Sequence, residues 1–324
     1  MKLKIILSII AVFILLYAIF YGSYYLFNPS QRGEEIAEKN NLPYPSVIAH
    51  RGASIEAPES TAPAYIMARD RGADYLEVDL QRTKDGEIVV FHDRTLERTS
   101  NVAEIFPDRE NDEVGEFTLA ELKKLDYGSW FNEKYPRYAR EEYKGEEILT
   151  LGELIDIAEK GDNRPGLVLE LKYPEKYPGI EEELVDILRK REWFTSGDEK
   201  EKVKTVFFSF NRDTLNKLQA KAPDVPRVLL VSDNMISRRS WNNWLERADG
   251  TADGLGPKGF MCWPWHIARA HERNIFVFPY VVNKIWQIQV LAQFKSDGYI
   301  TDRVEIVLDF LDRLPELPDL IEEE

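Results

Sequence analysis

The chain carries one cysteine, Cys262, and four histidines in 324 residues. A lone cysteine excludes an internal disulfide and a thiolate-built zinc site, so a bound metal would need oxygen ligands, with imidazole the remaining nitrogen donor. Cations are also in short supply. The 42 Lys and Arg face 57 Asp and Glu, a formal charge of -15, whereas general affinity for nucleic acid needs clustered positive charge. Nucleic acid is therefore not an expected partner.

Charge is missing altogether from Ile5 to Phe27. At about 1.5 Å per residue, a helix of that length crosses a hydrocarbon core of roughly 30 Å. Residues 1–27 are expected to form a transmembrane anchor, with Tyr21, Tyr24, Tyr25 and Phe27 at its far end, where aromatic rings favour the interface. A cleaved signal peptide fits less well, because Phe20 and Tyr21 precede the small pair Gly22-Ser23 and an A-x-A-like site is not formed. Lys2 and Lys4 give a slight bias toward an inside N-terminus, hence a single-pass membrane protein with the domain that follows outside the cytoplasm.

Residues 28–45, with Pro29, Gly33, Pro43 and Pro45, read as a linker, and a domain over 46–312 follows. Its 44% overall hydrophobic content suits one large core, as in α/β barrels of about 250 residues. Eight β-type runs recur: Val47 to Ala49, Tyr75 to Leu80, Leu167 to Leu171, Val203 to Phe208, Val228 to Val231, Asp253 to Leu255, Ile275 to Val282 and Tyr299 to Thr301. Helical patterns such as Ser60 to Arg71, Leu151 to Lys160, Ile180 to Arg191 and Arg212 to Ala220 lie between them. This alternation predicts an α/β fold, a (β/α)8 TIM-type barrel. The run Ile88 to Phe91 follows its predecessor after only Thr83-Lys84-Asp85-Gly86, too short for a parallel crossover, so it is expected to fold back as an antiparallel hairpin at the mouth. A turn centred on Asp85-Gly86 sets His92 beside Asp79. The stretch from about 94 to 147 reads as a small inserted cap, with Trp130, Phe131, Tyr135 and Tyr138 available to meet an apolar ligand at the mouth, and Glu133 to Glu147 as a solvated face. Residues 313–324 read as an acidic tail.

Period-two spacing sorts the polar residues. Glu77 and Asp79 share one strand face, Leu76, Val78 and Leu80 the other, and Glu170 and Lys172 alternate with Leu169 and Leu171. Acids on an inward barrel face need a cation or a partner. Two histidines, His50 and His92, stand where strand-like runs give way to turns, with Arg51 beside the first. Imidazole suits proton transfer, paired carboxylates a divalent cation and arginine a phosphate. The combination points to phosphate-ester chemistry. His266 and His271, in a helical stretch after Trp263-Pro264-Trp265, read as structural or surface residues. Phe260, Trp263, Trp265 and Trp286 read as core or rim packing, with a place at the substrate mouth as the alternative.

In order and spacing, Ala49-His50-Arg51-Gly52-Ala53, Ala57-Pro58-Glu59-Ser60-Thr61, Gly72-Ala73-Asp74, Glu77-Val78-Asp79, Thr83-Lys84-Asp85-Gly86 and Val90-Phe91-His92-Asp93 resemble the glycerophosphodiester phosphodiesterase family. The resemblance continues through Leu169-Glu170-Leu171-Lys172, Ser209-Phe210, Val281-Val282-Asn283 and Asp297 to Asp302, and spans roughly Ser46 to Val307. It implies one divalent cation, Mg or Ca, on Glu77, Asp79 and Glu170. It also implies His50 and His92 as general base and acid, with Arg51 and Lys172 on the phosphate, and a substrate pocket near Phe210, Tyr280 and Asn283. The implied reaction is hydrolysis of glycerophosphodiesters to glycerol 3-phosphate and an alcohol. Lysophospholipase D-like cleavage of lysophospholipids is a variant, and a silent membrane-tethered binding module is the non-enzymatic alternative. Ser60 stands where many members have Asn and Tyr280 where many have Trp, which bears on substrate shape rather than on proton transfer.

Overall fold

The computed structural model describes residues 2–194, 204–232 and 239–315. The start of the run expected from Val203, the side chain of Phe260 and the tail from 316 lie outside the described residues. Among the described residues nine strands form in chain order: β1 Ser46–His50, β2 Tyr75–Arg82, β3 Ile88–Val90, β4 Gly166–Leu171, β5 Thr205–Ser209, β6 Arg227–Val231, β7 Gly254–Pro257, β8 Phe276–Val277 and β9 Gly298–Thr301. All but β3 run parallel, in the sheet order β8-β7-β6-β5-β4-β2-β1-β9. Between the two ends of that order, amides of Asp297, Ile300 and Val282 donate to the carbonyls of Val277, Pro279 and Ile300, which brings the sheet round into a barrel.

The alternation along β2 shows why the sequence closes this way. Leu76, Val78 and Leu80 point outward into the layer between strands and helices, while Tyr75 joins Ile48, Val168, Val206, Val228, Phe276 and Ile300 inside. The base of that interior is plugged by residues expected to form an open linker. Within 28–45 a helix forms over Gly33–Lys39, and Ile36, Ala37 and Leu42 are buried in the barrel's inner core. Proline and glycine masked a short amphipathic turn whose apolar residues fill the open lower end of the barrel. A side chain at Gly33 would put its Cβ 2.5 Å from Asp297 Oδ1, so the plug starts where only glycine fits.

The N-terminal helix, α1, spans Lys2–Phe27, and its Ile6–Phe27 stretch is long and apolar enough to cross a membrane. The segment after β3 carries short helices at Val102–Ile105, Leu119–Leu122 and Ser129–Lys134. Leu96, Val102, Val114, Phe117 and Leu125 pack there with Val89 and Phe91, and Phe131 and Tyr143 with Ala57 and Ala64. The aromatic residues expected to meet substrate therefore serve the insertion's own core: Phe131 is fully buried and the Trp130 indole donates to the Tyr127 carbonyl at 2.8 Å.

β3 pairs antiparallel with β2, but the register is one residue from expectation. Leu80 faces Val90 and the Phe91 amide donates to the Asp79 carbonyl, so Phe91, not His92, stands opposite Asp79. The turn is centred on Asp85 itself: the Thr83 and Glu87 backbones close it, and the Thr83 hydroxyl takes the Glu87 amide and donates to Asp85.

Candidate active site

At the C-terminal ends of β2 and β4, Glu77, Asp79 and Glu170 converge so that one oxygen from each lies within 4.8 Å of the others. All three are buried. Burial, and then the neighbouring Asp79, push the Glu77 carboxyl up to about 8, and burial likewise raises Glu170. Burial would raise Asp79 too, but Lys172 and Arg51 outweigh it and hold the group well below the usual carboxylate range. Arg51 Nε and Lys172 Nζ each approach an Asp79 oxygen to 3.0 Å, and Lys172 reaches Glu170 at 2.6 Å. Neither Asp79 oxygen has a well-directed hydrogen bond. Three converging buried acids, with two such oxygens among them, match what a hard divalent cation requires and a thiophilic one does not.

The histidines flank this cluster. His50 ends β1, opposite Glu77 in the ladder, and its Nδ1 lies 2.6 Å from Asp302 Oδ1. His92 Nδ1 lies 2.6 Å from Asp93 Oδ1. Both imidazoles help lower Asp79, which puts them around one carboxylate. Burial and Arg51 depress His50, yet the Asp302 hydrogen bond, with Glu77, leaves it raised overall. In each ring the carboxylate engages Nδ1 and leaves Nε2 for proton exchange.

Asp302 is itself fixed: the Asn283 side-chain amide donates to Oδ2 at 2.5 Å, the Asp302 backbone amide donates to Asn283 Oδ1 at 2.9 Å, and the Ser54 hydroxyl donates to Oδ1 at 3.2 Å. Asn283, expected in a substrate pocket, thus positions the partner of His50. Phe210 does line a cavity of about 620 Å³ that also takes in Glu170, Lys172, Ser209 and Arg247, and its ring lies 6.4 Å from that of Tyr280. Sequence reasoning gave no role to Asp302, Asp93, Glu59 or Arg98. Glu59 receives Arg51 at 2.9 Å and Arg98 at 2.7 Å, and Arg98 also pairs with Asp93, so a chain of ion pairs links the two histidine-bearing loops. The one available signal was the Asp that directly follows a strand end or a histidine.

The other two histidines lie away from the acids. His266 Nδ1 contacts the Met261 carbonyl at 2.6 Å and its ring stacks 4.6 Å from Trp241. His271, fully buried, joins Asp297 at 2.8 Å and Ser30 at 2.7 Å at the barrel base.

Residues 50–306 match the model of the glycerophosphoryl diester phosphodiesterase family. A glycerophosphodiester phosphodiesterase of Bacillus subtilis is 34% identical over 269 residues, covering 82% of this chain and 87% of its own. One from Caldanaerobacter subterraneus is 33% identical over 266 residues, covering 82% and 97%. The solved structure of an Oleispira antarctica phosphodiesterase in complex with the product sn-glycerol-3-phosphate superposes with a TM-score of 0.65 at 29% identity, covering 83% of this chain and 97% of that one.

Proposed function

Since the chain belongs to the glycerophosphoryl diester phosphodiesterase family, we propose that it hydrolyses glycerophosphodiesters to glycerol 3-phosphate and an alcohol, using His50 and His92 for proton transfer and a divalent cation, Mg or Ca, on Glu77, Asp79 and Glu170. The observation that carries the reading is the meeting of three buried acids with two imidazoles, each backed at Nδ1 by a carboxylate.

A phosphodiester monoanion repels nucleophiles, so cleavage needs charge on its non-bridging oxygens, a base for the attacking oxygen and an acid for the departing alkoxide. The cation, when bound, supplies Lewis-acid charge to those oxygens. Arg51 and Lys172, which balance Asp79 and Glu170 here, add positive charge for the phosphate. With Nδ1–H directed at Asp302, His50 presents an unprotonated Nε2 that takes the proton of the attacking oxygen. His92, its Nδ1 held by Asp93, gives its Nε2 proton to the leaving oxygen. The 620 Å³ cavity beside Glu170 and Lys172 offers room for the alcohol portion.

α1 serves in this reading as a single-pass anchor that holds the barrel outside the cytoplasm; its apolar length and flanking tyrosines support it. The decisive assay follows release of glycerol 3-phosphate from glycerophosphocholine and glycerophosphoethanolamine with Mg or Ca. His50→Ala and His92→Ala are each expected to lower kcat about 10²–10⁴-fold in folded protein. Absence of turnover of any glycerophosphodiester with either ion would overturn the reading.

A further inference from the structure

A helix that follows a barrel strand starts at the mouth and returns to the base. The helix Pro264–Glu272 follows β7, so Trp263 and Trp265 lie at its mouth end and His271 near the base, where it meets Asp297 just ahead of β9. α1 runs beside this helix in the same sense. A Cβ on Gly22 would sit 3.9 Å from the Trp265 ring, Arg269 donates to the Tyr21 hydroxyl at 2.8 Å, and Ser30 reaches His271. The earlier part of α1 therefore projects past the mouth end of the barrel, not past its base, and its large apolar side chains from Ile6 to Phe20 are exposed.

At that same end the catalytic domain shows an apolar shelf of its own. Trp263 is 47% exposed, and the helix Ile285–Gln293, which follows β8, leaves Ile285 49%, Trp286 56% and Val290 38% exposed. Trp263, Trp286, Val290 and Phe294 border a groove of about 270 Å³ that runs down from this end along the helix. Two exposed indoles on the rim of one groove mark a contact face. Resting on the reading of α1 as membrane-spanning, we infer that this shelf sits in the lipid headgroup layer, so that the barrel stands mouth-down on the bilayer and the catalytic cleft opens toward its surface.

Helix length fixes the level. A span takes about 20 residues, so a crossing that begins at Ile6 ends near Tyr25, and Tyr21 to Tyr25 occupy the interface. Trp265 and Arg269 share that level, and Trp263, Ile285 and Trp286, at the mouth ends of their helices, lie at it or nearer the lipid. The occupant is a lipid surface because the shelf and the exposed face of α1 point the same way. With a net charge of -15, the domain is held there by apolar insertion rather than by attraction to anionic lipid.

The test uses the full chain in phosphatidylcholine vesicles with an environment-sensitive fluorophore on Trp286→Cys, on Trp263→Cys as a second shelf position, and on Lys221→Cys at the base. The native Cys262 is buried and stays unlabelled. Vesicles brominated on the upper acyl chain are expected to quench the shelf probes and blue-shift their emission, with no change at 221. Equal responses at shelf and base, or a response at 221 alone, would overturn the inference while leaving the anchor intact. A concentration-dependent blue shift without bromolipid quenching would overturn it in favour of a second copy of the chain. Failure of the protein to float with the vesicles would remove the anchor, and the inference with it.

Discussion

Each mouth imidazole has Nδ1 engaged at 2.6 Å, by Asp302 for His50 and by Asp93 for His92, so the carboxylates set both ring orientation and tautomer. Replacing Asp302 by Asn keeps the size and removes the charge that raises His50. Asp302→Asn is expected to lower kcat roughly 10²-fold and to move the His50-dependent limb of the pH–rate profile to lower pH, with little loss of thermal stability. An unmoved limb would remove Asp302 as the positioning residue. Gly52, two residues after His50, takes φ +84°, and a Cβ there would lie 2.6 Å from the Ala64 backbone. Left-handed backbone costs an L residue roughly 1–2 kcal/mol, so Gly52→Ala should lose at least that in urea unfolding and displace Arg51. Nearby, burial raises Glu59 and Asp93, but Arg98, with Arg51 and His92 respectively, leaves both lowered overall. Depressed carboxylates bind fewer protons folded than unfolded, so their stabilisation is present above their ordinary values near 4.5 and 3.8 and is lost as pH falls through the folded ones. Unfolding midpoints should drop below pH 4.5, and less steeply in Arg98→Ala.

Among the elements, the hairpin shows how far pattern reading reaches. Five residues between β2 and β3 rule out a crossover, and the antiparallel pairing is as expected. The register hinges on side chains inside the turn, Thr83 with Asp85 and Glu87, and a slip of one places Phe91 opposite Asp79. The carboxylate cluster was legible because period two on β2 and β4 is a rigid geometric rule. The roles of Asp302 and Asn283 were not, since their meeting with His50 depends on β9 lying beside β1. The base plug was hidden by its prolines. It is tied in by Asp297, whose Oδ2 takes the Val277 amide at 2.6 Å and His271 at 2.8 Å, while His271 and Arg32 hold residues 30–32 against the base. Leaving a buried hydrogen-bonding group without its partner costs about 1–3 kcal/mol. Asp297→Ala is expected to lose an amount of that order in denaturant unfolding, and a loss under about 1 kcal/mol would show that the base is held by apolar packing alone.

For the molecule as a whole, the site sets stability against function. Three buried acids share one end of the barrel with two cations, away from water, and the upward push on Glu77 and Glu170 shows that holding all three carboxylates charged there burdens the folded state. A cation that binds only the folded form stabilises by mass action, about 2.7 kcal/mol at a hundred times its Kd. For a domain of this size that corresponds to a rise of roughly 5 °C in Tm. Added Mg or Ca is expected to raise Tm on this scale, and chelation to reverse it together with activity. Glu77→Gln removes one of the acids, so it should unfold at a higher temperature than the metal-free native chain, lose most of the metal-induced rise and lose turnover. A Tm that ignores both ions in the native chain, or a Glu77→Gln protein that keeps the full rise, would separate the acid cluster from metal binding and leave its burial to be balanced by Arg51 and Lys172 alone.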